Sequence, residues 1–299
     1  MPESLVKNGY SVPGTSSDLA ASIKRHPVTA FFVLAFIGTW TLYVPVLLSP
    51  RGLGLINIPD GLVFAMFILS TYAGPFVGAW IVTRVIDGQA GVRQWFKRML
   101  QWRVRWLWYV VVLVGYPVVF GLAATILEGR SAVEAAQLNA GSFIAGYLVT
   151  LVVGCFAPTL GEEAGWRGFA LTRLQAARGP LMATLIVSVI HAVWHLPAYF
   201  VKGAITSTGE FDPTLFVANS LAIIASSFVW TWLFNNAAGS IFFATLVHAA
   251  SNAMSGNLPA FLNLQDSNPW FAFVVSAIVA VLVVALTRGR LGYANRGST

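Results

Sequence analysis

Residues 158–197 read PTLGEEAGWRGFALTRLQAARGPLMATLIVSVIHAVWHLP, and the rest of the chain is best understood outward from them. Glu162, Glu163 and Arg167 follow directly on one apolar run, and His191 and His195 sit inside the next. A charged side chain at the centre of a membrane helix costs roughly 2.5–3.5 kcal/mol on insertion scales, so ionisable groups placed there are functional candidates by default. The chain is 57% hydrophobic and only 10% charged, too apolar for a soluble globular domain. A second polar pair, His248 and Asn252, lies in the run GSIFFATLVHAASN. These groups are expected to meet in one intramembrane site.

Outward from this stretch, windows long enough to cross a hydrocarbon core recur along almost the whole chain, about eight in number. They cover 28–48, 62–86, 106–127, 142–160, 180–200, 214–234, 239–258 and 270–287. The short alternating segments of a membrane barrel are absent. The expected fold is therefore all-α, a polytopic transmembrane bundle of about eight helices. One membrane domain spans 28–287 with its motif core at 142–256, between a polar, mobile tail at 1–27 and a basic tail at 288–299. Pro75 and Pro117 read as kinks that neighbouring helices tolerate.

The net charge of +7 follows the membrane rather than a nucleic acid. Arg93, Lys97, Arg98, Arg103 and Arg105 crowd into one loop, Arg173 and Arg178 into another, and Arg288, Arg290 and Arg296 into the C-terminal tail. The loops around Glu128–Glu134 and Lys202–Asp212 carry no basic excess. The positive-inside rule then puts both termini in the cytoplasm of an integral protein of a bacterial-type plasma membrane. The stretch QWFKRMLQWRVRWLW reads as an interfacial segment, aromatics at headgroup depth and cations reaching out. No nucleic-acid partner is expected. The first apolar run lacks a small-residue cleavage site and reads as a helix that stays. Cys155, the single cysteine, reads as a small buried apolar residue.

Helical phase divides the polar residues. Successive residues lie about 100° apart, so Glu162 and Glu163 point in different directions. Arg167 shares a face with Glu163 in ion-pair range. Glu163 and Arg167 therefore read as structural, and Glu162 as the group free to act as a base on water. His191 and His195 share a face one turn apart, as do His248 and Asn252. An imidazole and a carboxamide on one face suit an oxygen that becomes negative in amide hydrolysis. The same residue types also suit a divalent metal, and spacing alone leaves both chemistries open.

Glu162-Glu163-x-x-x-Arg167, a helix ending in WHLP at His195, and His248-x-x-x-Asn252 together resemble the motifs of the CAAX protease and bacteriocin-processing family of intramembrane endopeptidases. The likeness covers roughly residues 142–256, with the motifs in the family's order. It implies that Glu162 activates water, that His195 assists proton transfer or metal binding, and that His248 and Asn252 stabilise the oxyanion or act as ligands. A zinc ion held by Glu162, His195 and His248 and a metal-free, glutamate-dependent mechanism are both compatible with the resemblance. The second motif usually carries Phe four residues before its histidine, where this chain has His191, which leaves a packing role, a supporting contact or an extra ligand open, with packing or support preferred. The substrate class implied is a peptide or membrane protein. Two rivals remain at this level: a catalytically silent immunity or scaffold protein with the same fold, and a proton-coupled transporter, for which no inverted repeat is visible.

Overall fold

The computed structural model describes residues 15–261 and 268–294, and parts of both expected tails, including Arg296, lie outside them. Every apolar window read from the sequence is occupied by helix. In chain order these are α1 Thr15–Arg25, α2 Pro27–Leu48, α3 Asp60–Ile86, α4 Gly88–Met99, α5 Trp106–Glu128, α6 Arg130–Gly154, α7 Leu160–Gly165, α8 Thr172–Trp194, α9 Pro213–Asn236, α10 Ile241–Phe261 and α11 Phe271–Leu286. Among the described residues, five helical runs are both long and apolar enough to cross a membrane, the single run Arg130–Phe200 being one of them.

The distribution of side chains is that of a membrane protein. Leu122, Ile126, Leu138, Phe156 and Leu286 are exposed, whereas Glu162, Glu163, Arg167 and His191 are buried. Apolar surface of this extent is stable only against lipid.

Two expectations about loops and tails change. The N-terminal tail is helical from Thr15 to Arg25, and α1 buries Ile23 against the cluster around Phe31 and Val82. The loop expected around Glu128 shrinks to Gly129, whose φ of 63° is left-handed. That one residue reverses the chain between α5 and α6.

The run from α6 to α8 carries the motif, and proline shapes it. Pro158 has no N–H, so the Gly154 carbonyl loses its ordinary partner. The chain widens there into a π-helical turn, Cys155–Thr159, and the Thr159 hydroxyl donates to Gly154 O at 2.9 Å. A second π turn, Trp166–Leu171, follows α7. Gly179, at φ 74° and ψ 168°, then breaks the helix before Pro180 restarts it toward His191. Such breaks are tolerated at membrane depth only where neighbours satisfy the freed backbone.

Close backbone approach seats α7. A Cβ on Gly165 would lie 2.6 Å from the Pro75 carbonyl oxygen, in the π turn Tyr72–Phe76 of α3. A side chain at that position displaces backbone rather than a flexible neighbour. Overpacking of this kind costs about 1–3 kcal/mol or more. Gly165→Val is therefore expected to lower the melting temperature and folded yield in detergent. Gly141→Val, where nothing lies within 4 Å, should leave both unchanged. Equal behaviour of the two variants would contradict the close packing.

Candidate active site

All the motif residues except Asn252 converge, from α7, the π turn that follows it, the end of α8 and the middle of α10. Glu162 is 4% exposed, Glu163 1%, Arg167 1%, His191 0% and His248 4%, so every charge here needs a partner inside the protein. Two linked pairs supply them.

The first pair is Glu162 with His191, whose Oε2 and Nε2 lie 2.8 Å apart. This contact holds in either of two protonation states: a carboxylate accepting from Nε2–H, or a carboxyl donating to the bare nitrogen. His195 follows one turn later and donates Nδ1–H to the His191 carbonyl at 2.9 Å. A carbonyl only accepts, so the neutral His195 ring keeps its lone pair on Nε2. His195 is half-buried and is the most accessible histidine of the cluster.

The second pair is centred on Glu163. Its Oε1 accepts from Arg167 Nη1 at 2.6 Å and from His248 Nδ1 at 2.9 Å. Arg167 also donates to Ser227 Oγ at 3.0 Å, and its guanidinium lies 4.7 Å from the centroid of the Trp230 ring. Trp230 stacks on His248 with centroids 4.5 Å apart and donates its indole N–H to the Tyr116 hydroxyl at 2.8 Å. The two pairs touch: the rings of His191 and His248 stand 5.9 Å apart.

Two placements differ from the sequence reading, and His191, whose role was left open, gains a partner. His191, expected in packing or support, contacts Glu162 directly. Among the described residues, the group able to offer ligand atoms within 4.8 Å of one another is Glu162, His191 and His195. His248 is not in that group because Glu163 draws it aside. Asn252 is exposed, and no hydrogen bond joins it to the cluster among the described residues. Four residues on an α-helix advance about 400°, so Asn252 sits some 40° out of phase with the inward-facing His248.

Two nitrogens and a carboxylate oxygen form the donor set of catalytic zinc sites. His195 Nε2 is left with a lone pair, and His191 Nδ1 is buried with no hydrogen-bond partner. The residues present thus fit such an ion, held by Glu162, His191 and His195.

The sequence reading also missed the supports from α9 and α4. Ser227 and Trp230 are uncharged, and on a helix that also carries Asn219, Ser220, Ser226 and Thr231 nothing in the sequence marked them. Trp95 and Arg98 belong to the stretch read as interfacial, yet they turn inward. Trp95 Nε1 donates to Ala164 O at 2.9 Å, and Arg98 Nη1 to Gly168 O at 2.9 Å. Arg98 Nε also donates to Gly239 O at 2.9 Å, just before α10. One surface helix therefore ties down both segments that carry the cluster.

Helices of this length, with ionisable groups paired inside and apolar side chains outside, define a polytopic membrane protein with an intramembrane carboxylate–histidine centre. Residues 144–254, which hold every residue of that centre, match the family model described as type II CAAX prenyl endopeptidase Rce1-like, which supports the likeness to the CAAX protease and bacteriocin-processing family. The chain is also similar to CAAX prenyl protease 2 of Methanococcus maripaludis, 21% identical over 267 residues that cover 87% of this chain and 95% of that one.

Proposed function

We propose that the chain is an intramembrane endopeptidase in which Glu162 activates water. The observation that carries this reading is the buried Glu162–His191 contact at 2.8 Å with His195 beside it, inside the segment that matches the endopeptidase family. His191 engages Glu162 Oε2 and leaves Oε1 for a water molecule. Glu162 takes a proton from that water as its oxygen attacks the peptide carbonyl carbon, and passes the proton to the amide nitrogen as the C–N bond breaks. One carboxylic acid and one amine result. His195 Nε2 accepts from the same water and holds it against the carbonyl. Asn252, whose exposed carboxamide is open to substrate, donates to the carbonyl oxygen as it becomes negative, and His248, held by Glu163 through Nδ1–H, joins it only when Nε2 also carries a proton. A zinc ion, when bound, would polarise that carbonyl or make the water more acidic. Glu163 and Arg167 hold the helix.

The relative's name points to peptides carrying a prenylated cysteine as the first substrates to try. The full chain, reconstituted in vesicles, is expected to cut such peptides, with the new termini read by mass spectrometry. No cleavage of either prenylated or unmodified peptides would overturn the proposal.

The basic edge that carries Arg103 and Arg105 is proposed to face the cytoplasm, with both termini on that side of the membrane and residues 28–287 as one domain. Arg103 is exposed, so Arg103→Cys should react with an impermeant thiol reagent only after the cell is permeabilised. Ready labelling from outside would reverse the orientation.

A further inference from the structure

Apart from the catalytic cluster, an apolar groove lies beside α3, α4 and α5. Its cavity measures about 950 Å³, and Tyr72, Phe156 and Phe242 form part of its wall. None of Glu162, Glu163, His191, His195 or His248 lines it.

The segment joining α4 to α5 forms the edge of this groove, and its alternation sorts apolar from basic residues. Backbone bonds from Trp102 N to Leu100 O and from Val104 N to Trp102 O repeat every second residue. Trp102, Val104 and Trp106 all line the groove, while Arg103 and Arg105 fall between them and are exposed. The Arg103 guanidinium lies 5.5 Å from the centroid of the Trp102 ring, which keeps it at the mouth. Arg93 and Lys97 are exposed on neighbouring α4. No aspartate or glutamate occurs between Gly88 and Leu127, so nothing in this stretch neutralises the rim.

The wall itself asks for hydrocarbon. The two tyrosine hydroxyls that could have met a polar guest are already spent, Tyr72 donating to Phe156 O and Tyr109 to Trp102 O. A peptide backbone laid there would meet few polar groups beyond the Trp102 and Trp106 indoles to replace water. An acyl chain needs none, and the cationic mouth selects what lies at its head.

We infer that this groove binds an acidic glycerophospholipid, its acyl chain against Trp102, Trp106 and Phe156 and its phosphate against Arg103 and Arg105. Charge complementarity names the occupant. Each basic residue near an anionic surface strengthens binding about fivefold, so the two arginines should favour an acidic lipid over a zwitterionic one by roughly thirtyfold.

The test is native mass spectrometry of the full chain in detergent. The chain is titrated with phosphatidylglycerol or with phosphatidylcholine of the same acyl chains. Phosphatidylglycerol should be retained at about thirtyfold lower concentration than phosphatidylcholine. Arg103→Gln with Arg105→Gln should erase that preference, and each single variant should lose about half of it on a logarithmic scale. All four arms are read on chains that elute as folded monodisperse protein, and both arginines are exposed, so the single variants keep the test open if the double one expresses poorly. Val104→Trp, which fills the groove without touching the rim, should weaken both lipids together. Equal retention of the two lipids by the wild-type chain would overturn the inference, as would an unchanged preference in the arginine variants. Glycerol phosphate displacing the lipid would show a headgroup site without an acyl groove, and a prenylated peptide displacing it would show a substrate site. Either result would also overturn it.

Discussion

Glu162→Gln should lower peptide cleavage by roughly 10²–10⁴-fold, the range supplied by a positioned general base, in a chain that remains folded. The glutamine has the same volume as the glutamate, and its carbonyl oxygen can still accept from His191 Nε2–H across the 2.8 Å contact. What it cannot do is take a proton from water. Packing and helix position therefore survive while the chemistry stops. The measurement is single-turnover cleavage in vesicles beside thermal unfolding in detergent. His191→Phe separates the base from its support: it keeps a flat ring against Trp166, whose centroid lies 4.9 Å from that of His191, and removes only the polar contact with Glu162. That variant should retain part of the activity. Glu162→Gln with more than a tenth of wild-type turnover would remove Glu162 from the role of base, and a chain that fails to fold on this substitution would make Glu162 structural instead.

The helices were legible because the bilayer imposes a coarse rule, and windows such as 62–86 and 214–234 satisfy it by length and apolarity alone. The pairing of Glu163 with Arg167 was legible for a similar reason, since four residues on a helix return to nearly the same face. What lay beyond the sequence depends on contacts between segments far apart in the chain. The resemblance to a phenylalanine position hid the part His191 plays, because whether an imidazole packs or bonds is decided by what faces it. Here Glu162 faces it, from the far side of the Gly179 break. Arg98 carried the signature of a headgroup-seeking cation, yet it lies beside the carbonyls of Gly168 and Gly239. Composition gives the same signal for both fates. The helical stretch Thr15–Arg25 escaped notice because its polar, serine-containing sequence resembles a tail, and only the burial of Ile23 against the bundle distinguishes it.

Loss of Arg167 should be among the most damaging single changes to the fold in the cluster. Its side chain is 1% exposed and meets Glu163, Ser227 and the face of Trp230, so it joins the motif segment to α9. In Arg167→Met the apolar replacement fills much of the same space, but Glu163 stays buried with His248 as its remaining partner. Breaking a buried pair from one side costs roughly 3–5 kcal/mol, because the surviving charge has lost its compensation. Glu163→Gln breaks the pair from the other side and should cost a similar amount. When both partners are made neutral together, that penalty disappears, and replacement of a whole buried pair is often close to neutral. Glu163→Gln combined with Arg167→Met should therefore be more stable than either single variant. This reversal separates a charge effect from mere loss of packing, since packing losses at neighbouring positions would accumulate. Thermal unfolding of the four chains in one detergent reads it directly. A double variant less stable than both singles would mean that Arg167 acts through its contacts with Ser227 and Trp230, and that its charge matters little.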